Sequence, residues 1–378
     1  MNYAEESMKL HREKRGKMEL ASTVPLVTRE DLAVAYTPGV AAPCEAIAKD
    51  KSLALELTIK GRTVAVVTDG SAVLGLGNIG PEAALPVMEG KAILFKRFAG
   101  LDAFPICLAT QNADEIVETV KRIAPGFGAI HLEDIAAPAC FVVEERLSRE
   151  LDIPVMHDDQ HGTAVVILAG LLNALKVVGK ELASVKIVIS GAGSAGMATA
   201  RLLLDAGSTQ IVMTDSKGII AEGREGMNEY KSLLAARINP NRVTGSLADA
   251  LVGADAFVGV SAPGIVSEQM VASMAPQAIV FSMANPIPEI MPDVARAAGA
   301  AVVATGRSDF PNQANNVLAY PGMFLGAMES KKQFTGAMRA AAARALAGMV
   351  PHPTAERILP SVFDEGVARI VADAVKSA

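Results

Sequence analysis

Short apolar runs, each ending in a polar or glycine-rich loop and separated by segments of helical period, recur along most of the chain. Residues 1–20 predict a charged, partly amphipathic helix, followed by a connector that contains Pro25. Between Asp31 and Asp152 the pattern predicts strands at Thr63–Thr68, Ile93–Phe95 and Gly128–Leu132, and a helix over Asp114–Ile123 capped by Asp114. Ile153–Met156 reads as a short strand entering a polar loop, and Thr163–Val178 as a long buried helix. Farther on, Lys186–Ser190 and Ile211–Thr214 read as strands flanking a helix over Met197–Leu204. Short buried strands follow at Ala256–Val260, Ala278–Phe281 and Ala301–Ala304. From about Phe334 the chain is Ala-rich helix and then proline-interrupted helix. Strands and helices in alternation predict an α/β protein with parallel sheets. The expected division is a first domain over 1–155 and a second over 156–378, whose C-terminal helices pack back on the first.

The loop after Lys186–Ser190 reads Gly191-Ala-Gly193-Ser194-Ala195-Gly196, and the next strand ends at Asp215, 19 residues beyond Gly196. Strand, turn, helix and acid-terminated strand in this order form the context of a dinucleotide site. The first glycine makes the tight turn, the second admits the pyrophosphate and the third packs helix on strand. The unpaired N–H groups of Ser194 and Ala195 open the helix toward the phosphates, and Asp215 stands where a carboxylate accepts from the adenosine ribose. The second domain is therefore expected to be a Rossmann-type, doubly wound parallel sheet, and the first a smaller α/β unit. A second glycine triplet, Gly75-Leu-Gly77-Asn-Ile-Gly80, is followed by Pro81 and Pro86 and by no acid-terminated strand. It reads as a tight loop beside the active site.

Composition narrows the class. The chain has 378 residues, 51% apolar and 20% charged, enough for sizeable cores, and a formal charge of −6 with no basic block; nucleic acid is not an expected partner. Cys44, Cys107 and Cys140 lack metal or disulfide spacing, which fits a reducing cytoplasm. The charged N-terminus lacks a signal-peptide core, and the apolar run Thr163–Leu175 is too short to span a bilayer, so no membrane role is expected.

Two acidic pairs, Glu133-Asp134 and Asp158-Asp159, fall at strand ends. Hard oxygen ligands of this kind suit Mg²⁺ or Mn²⁺. His157 and His161 have the spacing of a helical zinc pair, but Pro154 and Gly162 bracket them and the acid after the first histidine is Asp158; a turn is expected there. Tyr36 sits in the turn Ala35–Gly39 and Lys91 among apolar neighbours. Burial would disfavour a charged Lys91 and make it a base near neutral pH.

Seven stretches in order resemble the short, prokaryotic-type malic enzymes: Ala35–Ala41 (AYTPGVA), Ala72–Gly80 (AVLGLGNIG), Pro86–Lys91 (PVMEGK), Leu132–Ile135 (LEDI), His157–Ala164 (HDDQHGTA), Ala284–Pro286 (ANP) and Thr305–Asn316 (TGRSDFPNQANN). The resemblance implies metal-dependent oxidative decarboxylation of L-malate to pyruvate and CO₂. By position it implies Tyr36 as general acid, Lys91 as general base and Glu133, Asp134 and Asp159 as metal ligands. It also implies Asp158 as the residue orienting Lys91, Asn285 beside the nicotinamide and substrate, and Asn315 on the substrate. A homodimer is implied, with a site to which both subunits could contribute. One position departs: larger relatives carry a carboxylate-binding arginine where this chain has Ala72, leaving Ser71 and nearby backbone N–H groups as the expected replacement. The sequence stops after its C-terminal helices, so the acyltransferase-like domain of some relatives is expected to be absent. Asp215 favours NAD by repelling the 2′-phosphate of NADP, with Lys217 and Arg224 near enough in sequence to compensate. The competing classes are a non-decarboxylating hydroxy-acid or amino-acid dehydrogenase and a nucleotide sensor without catalysis. A complete set of Tyr36, Lys91 and three acids weighs against both.

Overall fold

A computed structural model describes residues 3–378, with Leu74 described by its backbone alone; Met1 and Asn2, at the start of the expected N-terminal helix, lie outside the described residues. Helices α1 (Tyr3–Lys14), α2 (Arg29–Ala35), α3 (Ala41–Lys49) and α4 (Ala54–Leu57) precede β1 (Thr63–Thr68). Then come α5 (Pro81–Ala99), β2 (Asp102–Cys107), α6 (Ala113–Ile123), β3 (Ala129–Leu132), α7 (Ala139–Glu150), β4 (Val155–His157) and α8 (Asp158–Val178). The dinucleotide unit is β5 (Lys186–Ser190), α9 (Ser194–Asp205), β6 (Gln210–Asp215) and a short β7 (Gly218–Ile219). It continues with α10 (Glu229–Ala235), α11 (Leu247–Leu251), β8 (Ala256–Gly259), α12 (Glu268–Ala272), β9 (Ala278–Ser282), α13 (Pro292–Ala297) and β10 (Ala300–Thr305). Helices α14 (Tyr320–Ser330), α15 (Gly336–Gly348) and α16 (Val367–Ser377) close the chain.

The first sheet is wholly parallel in the order β2-β1-β3-β4. The second runs β10-β9-β8-β5-β6-β7, parallel except for β7. The order in which strands are added reverses at β5, with β6 on one side and β8 on the other, which opens the crevice where doubly wound sheets bind ligands. Helix α8 leaves β4 of the first sheet and packs on α9 and α15, while α14 and α16 lie against α5. A single apolar core therefore runs from Val66 and Phe95 through Ile167 to Ile189 and Val371. Helix α8 is long and apolar enough to cross a membrane, yet 67% of its most apolar window is buried within the protein. By contrast α1, α2 and α3 contain no buried residue.

Three local expectations are corrected. Ile93–Phe95 is not a strand but part of α5, because Ala84, Met88, Lys91, Ala92 and Phe95 recur at helical spacing and form its buried face. The strand is β2 instead, an edge strand whose Pro105 interrupts the sequence pattern but costs no ladder bond on its open side. Helix α6 is capped by Asn112, which accepts from the N–H groups of Asp114 and Glu115, and not by Asp114. Helix α8 starts at Asp158, so His157–Gly162 is a helix entry and not a free turn.

Candidate active site

Strand register brings the acids together. Leu132 of β3 lies opposite His157 of β4, so the residues that leave those strands, Glu133-Asp134 and Asp158-Asp159, emerge side by side at the carboxyl edge of the first sheet. Asp134 adopts φ +54°, a left-handed conformation unusual for a residue with a Cβ. Its backbone N–H donates to Asp159 Oδ2 at 2.8 Å. The carboxylates of Glu133, Asp134 and Asp159 each offer an oxygen, all within 4.8 Å of one another. An all-oxygen set suits a hard divalent cation. A second grouping, His131, Glu133 and Asp158, is less suited, because its members are already engaged with protein partners. The His131 ring nitrogen Nε2 lies 2.5 Å from Glu133 Oε2, and its ring packs edge-on to Phe95 and Tyr320. Burial pushes His131 down to about 3, which favours the neutral ring.

Lys91 reaches this edge from α5. Its Nζ lies 2.6 Å from Asp158 Oδ2, 3.0 Å from Glu133 Oε1 and 3.3 Å from Asn316 Oδ1, and 4.6 Å from the centre of the Tyr320 ring. Burial alone would lower the Lys91 pKa, but Asp158 and then Glu133 outweigh it and hold the ammonium well above its ordinary value. The expectation that burial makes Lys91 a base is thus corrected: carboxylates on two sides keep the proton on it. Glu133 pays the counterpart. Its burial raises its pKa well above the carboxylate range, and Asp159 and Asp158 add to this against the opposing pull of Lys91. Crowded buried carboxylates are costly unless a cation shares their charge, so the donor set fits a divalent ion.

Among the described residues, Lys91 touches Asp158, Glu133, Asn316 and Tyr320, and not Tyr36. Tyr36 closes α2 and is 65% exposed. Asn316 was not singled out in the sequence. Its neighbour Asn315 turns its side chain back to cap Asn316–Leu318, accepting from the Val317 N–H at 3.0 Å, and lines a cavity with the loop at 356–364. The pair of adjacent asparagines was the available signal, but only the turn that follows decides which one faces Lys91. Tyr320 was also missed, and its buried hydroxyl has no hydrogen-bond partner among the described residues.

Ser71 does not present free donors. Its N–H and hydroxyl both go to Asp69 Oδ1, its Oγ accepts from the Ala136 N–H, and the Ala72 N–H is bonded to the Asp134 carbonyl. These bonds tie the loop to the turn that carries Glu133 and Asp134. Gly75 presses against the Asn285 carbonyl, where an added Cβ would come within 2.2 Å, so the glycine-rich loop of the first unit meets the Asn285 loop of the second. Asn285 itself is exposed.

In the dinucleotide turn the three glycines differ as the spacing requires. Gly191 has φ +111°, and a Cβ on Gly196 would lie 1.8 Å from the Gly191 carbonyl oxygen, whereas a Cβ on Gly193 would meet nothing within 4 Å. The open side of Gly193 and the uncapped N-terminus of α9 at Ser194 and Ala195 leave backbone N–H groups for an anion. Asp215 ends β6, but its carboxylate is bracketed by Arg224 (2.9 and 2.6 Å) and Lys231 (2.7 Å), with the Lys217 N–H at 3.0 Å. Burial opposes this, yet the hydrogen bonds from Arg224 and Lys231 hold the Asp215 pKa far below its usual range.

Known proteins resemble the chain over both of its units. The family model for the malic enzyme N-terminal domain matches residues 15–113 and 109–148, and that for the malic enzyme NAD binding domain matches 160–378. The chain is 56% identical to a bifunctional malic/malolactic enzyme of Bacillus subtilis, covering 100% of this chain and 93% of that one. It is 55% identical to an NAD-dependent malic enzyme of Geobacillus stearothermophilus, covering 96% and 76%. The crystal structure of an NAD-dependent malic enzyme from Thermotoga maritima superposes with a TM-score of 0.95 at 49% identity, covering 98% of both chains. With both family domains matched in order and relatives of this identity spanning the whole chain, the protein belongs to the malic enzyme family.

Proposed function

We propose that the cleft between the two units performs the malic enzyme reaction, the oxidative decarboxylation of L-malate to pyruvate and CO₂ with reduction of NAD or NADP, through Lys91 and Tyr36. The observation that carries these roles is Lys91 held between Asp158 and Glu133 beside a three-carboxylate cluster. Glu133, Asp134 and Asp159 would hold Mg²⁺ or Mn²⁺. Such a cation would supply polarisation of the substrate hydroxyl and stabilisation of negative charge on the adjacent oxygen, and a bound nicotinamide cofactor would supply the acceptor for the C2 hydride. Sharing the charge of Glu133 and Asp159 with the cation would weaken their hold on the Lys91 proton, leaving Asp158 as its main counter-charge and shifting Lys91 toward the neutral amine. Lys91 in that state takes the C2 hydroxyl proton, and Asp158 keeps its amine aimed at the reacting carbon. After CO₂ leaves, the Tyr36 phenol delivers a proton to C3. Asn316 positions Lys91 from the opposite side, and Asn285 and Asn315 contribute to the cleft that receives substrate and nicotinamide. Since Ser71 is committed to Asp69 and Ala136, its part is to hold the loop that replaces the missing arginine.

In the assay, L-malate should drive reduction of NAD or NADP with equimolar pyruvate and CO₂ only when Mn²⁺ is present, and a chelator should abolish both. Cofactor reduction without CO₂ would move the protein to the non-decarboxylating class.

We further propose that NAD is preferred and NADP accepted. Asp215 retains the ribose position, but Arg224 and Lys231 neutralise it, and Ser216, Lys217 and Arg224 line an adjacent cavity of about 730 Å³. Replacing Arg224 by alanine removes a cation and releases the Asp215 charge, and both effects disfavour a 2′-phosphate. The NAD/NADP ratio of kcat/KM should rise about tenfold, equivalent to ~1.4 kcal/mol; an unchanged ratio would place 2′-phosphate recognition elsewhere.

The assembly is proposed to be a homodimer in which Tyr36 serves the partner's Lys91. Tyr36 closes α2, a helix that buries none of its residues, and is itself exposed, as are Val34 of α2 at 77% and Val27 in the segment before it at 87%; such apolar exposure marks an interface. Its three unpaired cysteines fit a cytoplasmic enzyme.

A further inference from the structure

We infer that Glu144 is a positioning residue that sets the first turn of α8 and thereby aims Asp158 and Asp159. The entry to a helix leaves backbone N–H groups without intrahelical partners, and they need acceptors from elsewhere. The N-cap residue of α8, His157, supplies no side-chain acceptor. Glu144 supplies one from a different helix, α7. Its Oε1 accepts the His157 N–H at 2.9 Å, while its Oε2 accepts from Gln160 Nε2 and from His161 Nε2, each at 2.9 Å.

These three bonds straddle the functional pair. One lies before Asp158 in sequence and two lie after Asp159, so the backbone between them is held on both sides by one carboxylate. The held residues face the other way: Asp158 Oδ2 bonds Lys91 at 2.6 Å and Asp159 Oδ2 receives the Asp134 N–H at 2.8 Å. Any shift of this turn moves the partner of the base and one member of the carboxylate cluster together. Tolerance is small, because a Cβ on Gly162 would lie 1.8 Å from Asp158 Oδ1. Glu144 is itself buried at 9% exposure, and Arg339 of α15 faces it, giving its charge a compensating cation. A buried carboxylate with every oxygen bonded to one helical turn behaves as a rigid brace. Outer partners of this kind tune how well a metal site is preorganised.

This inference rests on Glu133, Asp134 and Asp159 being the metal ligands. The test is a Mn²⁺ titration of the full-length protein, followed by electron paramagnetic resonance of the free ion, with kcat, malate KM and NAD affinity measured in parallel. Glu144→Gln should weaken Mn²⁺ binding about 10–100-fold and lower kcat, with NAD affinity within about twofold of the parent, and Glu144→Asp should recover part of the loss. A Glu144→Gln protein that melts earlier but keeps its Mn²⁺ affinity and kcat would overturn the proposal, leaving only a structural brace. Should Glu144→Gln fail to fold, Gln160→Met removes one of the three bonds. It should then weaken Mn²⁺ several-fold, and no change would likewise overturn the proposal. Asp159→Asn separates the two layers: if it leaves Mn²⁺ affinity intact, the ligand assignment and this inference fall together. If it weakens Mn²⁺ while Glu144→Gln does not, only the positioning role falls.

Discussion

Lys91→Ala is expected to lower kcat for malate oxidation by about 10²–10⁴-fold, the usual contribution of a positioned general base. The effect should fall on kcat more than on malate KM, because Lys91 sits against Asp158, Glu133 and Asn316 at the carboxyl edge and, in its proposed role as base, would act on the proton that moves in the transition state. A second consequence is thermodynamic. Lys91 is 9% exposed and ion-paired with two buried carboxylates. Its removal leaves them facing each other without a counter-charge, a loss of about 3–5 kcal/mol for a broken buried pair. The metal-free variant should therefore melt well below the parent, and Mn²⁺ should narrow the gap by sharing the charge of Glu133. Activity measured on Mn²⁺-loaded, folded variant separates the two effects. A kcat within about tenfold of the parent under those conditions would remove Lys91 from the proton transfer.

Mixing Lys91→Ala with Tyr36→Phe is expected to restore activity that neither variant has alone. Tyr36 is exposed at the end of α2 and, among the described residues, is not one of the hydrogen-bond, ion-pair or ring partners of Lys91, while α2 and α3 bury none of their residues. In a two-fold dimer with each Tyr36 in its partner's cleft, a hybrid has one site carrying both substitutions and one intact site. Random exchange makes about half the dimers hybrid, so about a quarter of the parental activity should return. If each cleft uses its own Tyr36, every hybrid site carries one defect and no activity returns. Verified heterodimers that stay inactive would thus rule out the shared site.

The comparison of sequence with structure is uneven in an instructive way. The dinucleotide turn was legible because its requirements are local: Gly191, Gly193 and Gly196 meet a positive φ, an open approach and a close helix contact within six residues. The acids at the ends of β3 and β4 were legible for a similar reason, since strand ends can be read from apolar runs. Strand β2 was lost to Pro105, and the strand assigned to Ile93–Phe95 proved to be the buried face of α5. Short apolar runs do not declare their period without the partner they pack against.

By itself the sequence determined the α/β class, the Rossmann-type second unit, the family and which residue types could carry the chemistry. Tertiary structure alone decided how those residues are charged and held. It placed Lys91 against Asp158, 67 positions away, and Asn316, 225 positions away, and so turned an expected buried amine into a doubly paired ammonium. It gave Asp215 to Arg224 and Lys231, committed Ser71 to Asp69 and Ala136, and set Glu144 under the entry of α8. Backbone conformation answers to neighbours a few residues apart, whereas protonation and hydrogen-bond partners answer to burial and to charges delivered by distant segments.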